Sequence, residues 1–114
     1  MTLSKIEKCA RLMGYEPLGI NIYGAFEVDK SKSKKELHAA STFNPLTNKA
    51  DLVDLMCAVG IDFQWHDYAV LAVCTIKGVC EWGYFDDHPD KQTALAHAVV
   101  DVACQIYDRQ FGGE

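Results

Sequence analysis

The chain predicts an α+β fold: a mainly antiparallel sheet packed by three helices, in the order α-β-β-α-β-β-β-α. Three observations carry this reading. Apolar residues recur with helical spacing in three separate stretches. Alternating or continuous apolar runs fill the stretches between them. The last three such runs are separated by two-residue gaps, which only antiparallel neighbours can use. With 114 residues, no internal repeat and no break in composition, residues 1–114 read as a single domain.

The first helix begins at Ser4, where Ser4 and Glu7 fit a capping box. Ile6, Cys9, Ala10 and Met13 share one face, and Gly14 stands where a left-handed residue ends a helix. Leu18, Ile20, Ile22, Phe26 and Val28 then alternate, with Gly24 in phase, which predicts one half-buried strand with a bend at Gly24. Residues 29–36 form a polar loop with four lysines, a solvated hairpin tip or a basic finger for phosphate or an acidic partner. A short strand returns from His38 to Phe43.

Asn44-Pro45-Leu46-Thr47-Asn48 is a strong turn signal. Pro45 forces Asn44 to be extended, and Thr47 or Asn48 caps the second helix. Leu52, Leu55, Met56 and Val59 are that helix's apolar face, and Gly60 closes it. Three strands follow, at 61–65, 68–76 and 79–85. The middle one is nearly all apolar, as in a strand covered on both faces. The loop at 86–90 leads into the last helix, whose core face is Leu95, Val99, Val102, Ala103 and Ile106. A second stripe, His97, Val100, Cys104 and Tyr107, is more than a one-sided helix needs. It is either covered by another layer or is a surface for self-association into a homo-oligomer.

The five cysteines are odd in number and show no CxxC spacing, so they read as small buried hydrophobes in a reducing cytosol. No run is long enough to span a membrane, and the opening Met-Thr-Leu-Ser-Lys lacks signal-peptide character, so a cytoplasmic location is expected. The formal net charge of −5 divides unevenly. Residues 1–49 hold 8 basic and 5 acidic side chains, and residues 50–114 hold 3 and 11. This excludes a uniformly basic nucleic-acid binder. It suggests a bipolar molecule, if the fold places the two regions on opposite sides.

The stretch Phe43-Asn44-Pro45-Leu46-Thr47-Asn48-Lys49-Ala50-Asp51-Leu52, running on to Val59-Gly60-Ile61, resembles the phage alpha-beta-alpha sandwich domain family of small bacteriophage and prophage proteins. The Asp/His/Pro loop before the Ala-rich helix at 93–100, and the opening helix ending in Met13-Gly14-Tyr15, are similar as well. The chain departs from that pattern in its lysine hairpin and in its Ile76-Lys77-Gly78-Val79 hairpin. The resemblance implies a phage origin and the host cytoplasm, and brings no catalytic residues with it.

Chemistry-bearing motifs are weak. His97 and Cys104 lie about 10 Å apart along the helix axis, too far for a direct hydrogen bond. His97 and Asp101 stand at i, i+4, where an ion pair is the simplest outcome. Glu81, Asp86, Asp87, His88 and Asp90 match no calcium loop. No catalytic residue, cofactor or metal is therefore expected. The leading expectation is a non-enzymatic phage accessory protein of the host-takeover or counter-defence kind. It would bind a host protein, such as a nucleic-acid-handling defence factor, stoichiometrically through Asp51, Asp54, Asp62, Asp67, Glu81, Asp86, Asp87 and Asp90. An alternative is an oligomeric sponge for a nucleotide immune signal, with Arg11, Lys34, Lys35, Trp65, Trp82 and Arg109 as contacts. A structural or regulatory phage protein with no defence role is a third.

Overall fold

The structure is a computed structural model that describes residues 4–30 and 40–111. It is α+β, with three helices and two three-stranded antiparallel sheets. The order is α1 (Lys5–Leu12), β1 (Glu16–Ile20), β2 (Phe26–Asp29), β3 (Ala40–Thr42), α2 (Lys49–Val59), β4 (Asp62–Trp65), β5 (Ala69–Cys74), β6 (Val79–Tyr84) and α3 (Lys91–Phe111). One strand more than expected is present, and the strands form two sheets, β1-β2-β3 and β4-β5-β6, in place of one.

The extra strand comes from residues 18–28, which form a hairpin and not a single strand. Asn21 explains the break. Its side-chain oxygen accepts the N–H groups of Tyr23 at 2.9 Å and Ala25 at 3.0 Å, turning the chain back on itself. Gly24 completes the turn with φ +81°, a conformation that favours glycine. Leu18, Ile20 and Ile22 are consequently exposed, despite their regular alternation.

The helix ends follow the sequence closely. Ser4 accepts the Glu7 N–H at 3.1 Å, while the Glu7 carboxylate takes Arg11 instead of reaching back to Ser4. Asn48 caps α2 by accepting the Asp51 N–H at 3.1 Å, and Gly60 ends it in the left-handed region. Asp90 caps α3 by accepting the Thr93 N–H at 2.7 Å.

α3 is the axis of the molecule. Leu95, Val99, Val102, Ala103 and Ile106 are buried as expected, but so are Val100, Cys104 and Tyr107. One side of α3 lies on β5 and β6, and α1 packs along another. The second apolar stripe is therefore covered within the chain, not left for self-association. Cys104 Sγ donates to the Lys5 carbonyl at 3.6 Å, and Lys5 and Lys8 of α1 pair with Asp101 and Asp108 of α3 at 2.8 and 2.7 Å. These pairs interleave the basic and acidic regions, which corrects the bipolar picture. Cys9, Cys74 and Cys104 are buried, whereas Cys57 and Cys80 are exposed. No described helix is long and apolar enough to cross a membrane.

Candidate protein-interaction surface

The sheet β4-β5-β6 covers α3 with one face only. Cross-strand partners share a face and successive residues alternate. The register pairs Val70 with Gly83 and Ala72 with Glu81. Both pairs point at α3. A Cβ on Gly83 would lie 2.3 Å from the Ala94 carbonyl oxygen, and Gln105 of α3 donates a hydrogen bond from Nε2 to the Glu81 carboxylate. The opposite face carries Leu71 paired with Trp82, Val73 with Cys80, and Ala69 with Tyr84. Among the described residues no helix packs on it. The expectation that β5 is covered on both faces is thus corrected: Leu71 and Val73 are only partly buried.

This arrangement runs against hydropathy. Along β6 the small and acidic residues, Gly83 and Glu81, face the helix, while Trp82 and Tyr84 face outward with 40% and 46% of their surface exposed. The cause is local. The Ala-rich start of α3 approaches so closely that only glycine fits beneath Ala94, and Gln105 satisfies the polar group that burial would otherwise penalise.

The outward rings form a continuous patch. His66 meets Trp82 edge-on at 5.0 Å between centroids. Trp82 stacks with Tyr84 at 6.5 Å, and Tyr84 with Tyr68 at 6.4 Å. Tyr68 is 66% exposed. The Phe85 N–H donates to the Tyr68 carbonyl at 3.1 Å, joining the β4–β5 hairpin tip to the end of β6. Asp67 in that tip, and Asp86 and Asp87 in the 3₁₀ turn after β6, therefore lie at the Tyr68–Tyr84 end of the patch, all exposed.

The eight acidic residues expected on one surface do not serve alike. Asp51, expected at the partner-binding surface, is corrected to a buried position. Its carboxylate accepts the Asn44 N–H at 2.9 Å and lies 3.7 Å from the Lys30 ammonium. The Asn-Pro segment is thus a turn tied to a helix start. Lys30 also stands over the Tyr15 ring, so the first lysine of the basic loop is anchored to the fold. Lys34 and Lys35 lie outside the described residues. Glu81 is held under α3 by Gln105, and Asp90 is a helix cap whose carboxyl is kept below its usual range by the Thr93 hydrogen bonds. Asp54, Asp62, Asp67, Asp86 and Asp87 remain exposed.

The residues considered for a nucleotide do not converge. Trp65 pairs with Val70, on the α3 side of the sheet, and Trp82 lies on the other side. Arg11 is bonded to Glu7 on α1, and Arg109 donates to the Lys77 carbonyl at 3.1 Å. Among the described residues no group of three or more His, Cys, Asp and Glu side chains could hold a metal ion. His97 does not pair with Asp101, which takes Lys5. It stacks on His88 at 4.7 Å, and burial followed by the neighbouring His88 lowers its pKa.

Sequence reasoning does not place Tyr68, Tyr84 and His66 on a protein-binding surface. Their signal was the alternation Val79-Cys80-Glu81-Trp82-Gly83-Tyr84, in which one face is aromatic and the other holds a glycine. No family model, curated protein or solved structure matches the chain.

Proposed function

We propose that the protein is a non-enzymatic binding module that docks a host protein on the outer face of β4-β5-β6. The observation that carries this is the outward placement of Trp82 and Tyr84 while Gly83 and Glu81 of the same strand face the helix. Large rigid rings in a contiguous exposed patch are the residues that dominate protein interfaces. Asp67, Asp86 and Asp87 at one end of the patch favour a partner with lysines or arginines around an apolar centre. Arginine can both pair with those carboxylates and stack on the rings. This keeps the expected stoichiometric mode of action and narrows its surface from a broad acidic area to an aromatic patch with an acidic edge. In the phage setting suggested by the Asn-Pro segment, the reading is host takeover or counter-defence in the host cytoplasm.

Affinity capture from bacterial lysate tests the proposal. A partner retained by the native chain should be lost with Trp82→Ser/Tyr84→Ser and with Asp67→Lys/Asp86→Lys/Asp87→Lys. It should be retained with Asp54→Lys, on α2. Equal capture by all four proteins would refute it.

A further inference from the structure

The free edge of β4 adjoins the outer face and has features of a second contact. β4 pairs with β5 alone. The His66 N–H donates to the Ala69 carbonyl at 2.8 Å and closes the hairpin. Antiparallel alternation from that pair directs the backbone of Asp62 and Gln64 toward β5, and that of Phe63 and Trp65 away from it. Among the described residues nothing pairs with that outer edge. Edge strands are ordinarily blunted by proline, lysine or a bulge. β4 reads Asp-Phe-Gln-Trp in unbroken register, and all four residues are exposed.

Beside this edge runs an apolar groove of about 570 Å³. Leu52, Val53 and Met56 of α2 line one side, Ile61, Asp62 and Phe63 the other, and Leu95 of α3 also lines it. A strand added to β4 would direct alternate side chains to the Phe63 side of the sheet, where the groove lies. The intervening side chains would stand on the outer face, beside Asp62 and Gln64. A cross-strand position next to Asp62 favours Lys or Arg. Backbone, groove and charge therefore specify one kind of occupant.

We propose that β4 accepts an extended segment of a partner protein in which apolar and basic residues alternate. Its apolar side chains fill the α2–β4 groove, and its basic ones face Asp62. The expected basic character extends the partner reading above, while strand addition itself is independent of the aromatic patch.

The test titrates the isotope-labelled full chain with a blocked octapeptide of alternating Val and Lys, followed by amide NMR. Shifts are expected at Phe63, Trp65 and the groove-facing part of α2. N-methylating the edge-facing amides of the peptide should weaken binding about tenfold, because it removes main-chain hydrogen bonds and leaves every side chain in place. Asp62→Lys should also weaken it about tenfold, while Trp82→Ser/Tyr84→Ser should change it by less than about twofold. Three results would overturn the proposal: no shift at millimolar peptide, undiminished binding of the N-methylated peptide, or shifts confined to Tyr68, Trp82 and Tyr84. Concentration-dependent dimerisation of the free protein through the β4 amides would also overturn it, by assigning the edge to a second copy. None of these outcomes affects the capture test of the aromatic patch.

Discussion

Gly83→Ala probes the inverted face of β6 directly. The added Cβ would lie 2.3 Å from the Ala94 carbonyl oxygen, 3.0 Å from its carbon and 3.3 Å from Val70 Cγ1. Ordinary contact begins near 3.4 Å, so the first turn of α3 must lift by about 1 Å or β6 must bow outward. The obstacle is backbone, and no side-chain rotation relieves it. Overpacking costs about 1–3 kcal/mol, and a 2.3 Å clash with backbone belongs at the upper end, about 3 kcal/mol. Replacing glycine stabilises by about 0.4–1 kcal/mol through the unfolded chain, which leaves a net loss of about 2 kcal/mol. For a chain of this length that is about 8 °C in Tm. Urea unfolding should show a lower midpoint with unchanged m-value. Trp82→Ala, next in sequence, removes a far larger side chain, yet should cost under about 1.5 kcal/mol. A fully buried tryptophan would cost about 3–5 kcal/mol. If Gly83→Ala is neutral or stabilising, or if Trp82→Ala is the costlier change, the assignment of the two faces is wrong.

Asp51→Ala should cost about 2 kcal/mol by urea denaturation, because it leaves the Asn44 N–H without its acceptor and Lys30 without its carboxylate, and Asp51→Asn should recover part of the loss. The Asp90 carboxyl titrates lower in the folded chain than its ordinary value of 3.8, so its contribution is complete above that value and is lost as pH falls through the folded one. The Tm advantage of the native chain over Asp90→Ala should accordingly disappear in acid. His97 is also depressed, by burial and by His88, against the opposing pull of Asp101. The neutral ring's contribution is complete above pH 6.5 and is lost as pH falls through the folded value, and His97→Asn should flatten the dependence of unfolding free energy on pH below 6.5. Mass spectrometry after iodoacetamide treatment of the folded protein should find Cys57 and Cys80 modified, and Cys9, Cys74 and Cys104 modified only after unfolding.

Much of the fold is legible in the sequence because caps and hairpins are short-range chemistry. Ser4, Gly14, Asn48 and Gly60 each act on residues within a few positions, and the helices they delimit are present; both expected hairpins form too, but their connections span 66–68 and 75–78, longer than the two-residue gaps expected. The failures have a common origin in period-two patterns. At 18–28 the alternation is real, but the Asn21 side chain supplies local hydrogen bonds that a strand would not, and a hairpin results. In β6 the alternation is present as well, but hydropathy alone would bury the face of Trp82 and Tyr84, which the structure exposes. Which face is covered depends on how closely α3 approaches, and that distance is set by Ala94 and Gly83, residues of two different elements that meet only once the chain has turned between them. The same limit applied to the acidic surface. Burial of Asp51 and the bond from Gln105 to Glu81 are tertiary facts, whereas the exposure of Asp67, Asp86 and Asp87 follows from their places in turns.

The uneven charge along the chain acquires a different meaning once its pairs are known. Lys5, Lys8 and Lys30, three of the basic residues in the first half, are committed to Asp101, Asp108 and Asp51 in the second. The basic region is therefore partly consumed inside the fold. Asp62, Asp67, Asp86 and Asp87 have no ion pair among the described residues, and they sit on β4, at the hairpin tip and at the end of β6. A partner approaching β4-β5-β6 meets that field first and the rings afterwards. The two features should accordingly separate in kinetics. Charge reversal at Asp67, Asp86 and Asp87 should slow association and remove its salt dependence. Truncation of Trp82 and Tyr84 should leave association nearly unchanged and speed dissociation, because desolvated rings act only after contact. If both sets of variants altered the same rate constant, the aromatic patch and the acidic edge would be one electrostatic site, and the outward turn of Trp82 would need another explanation.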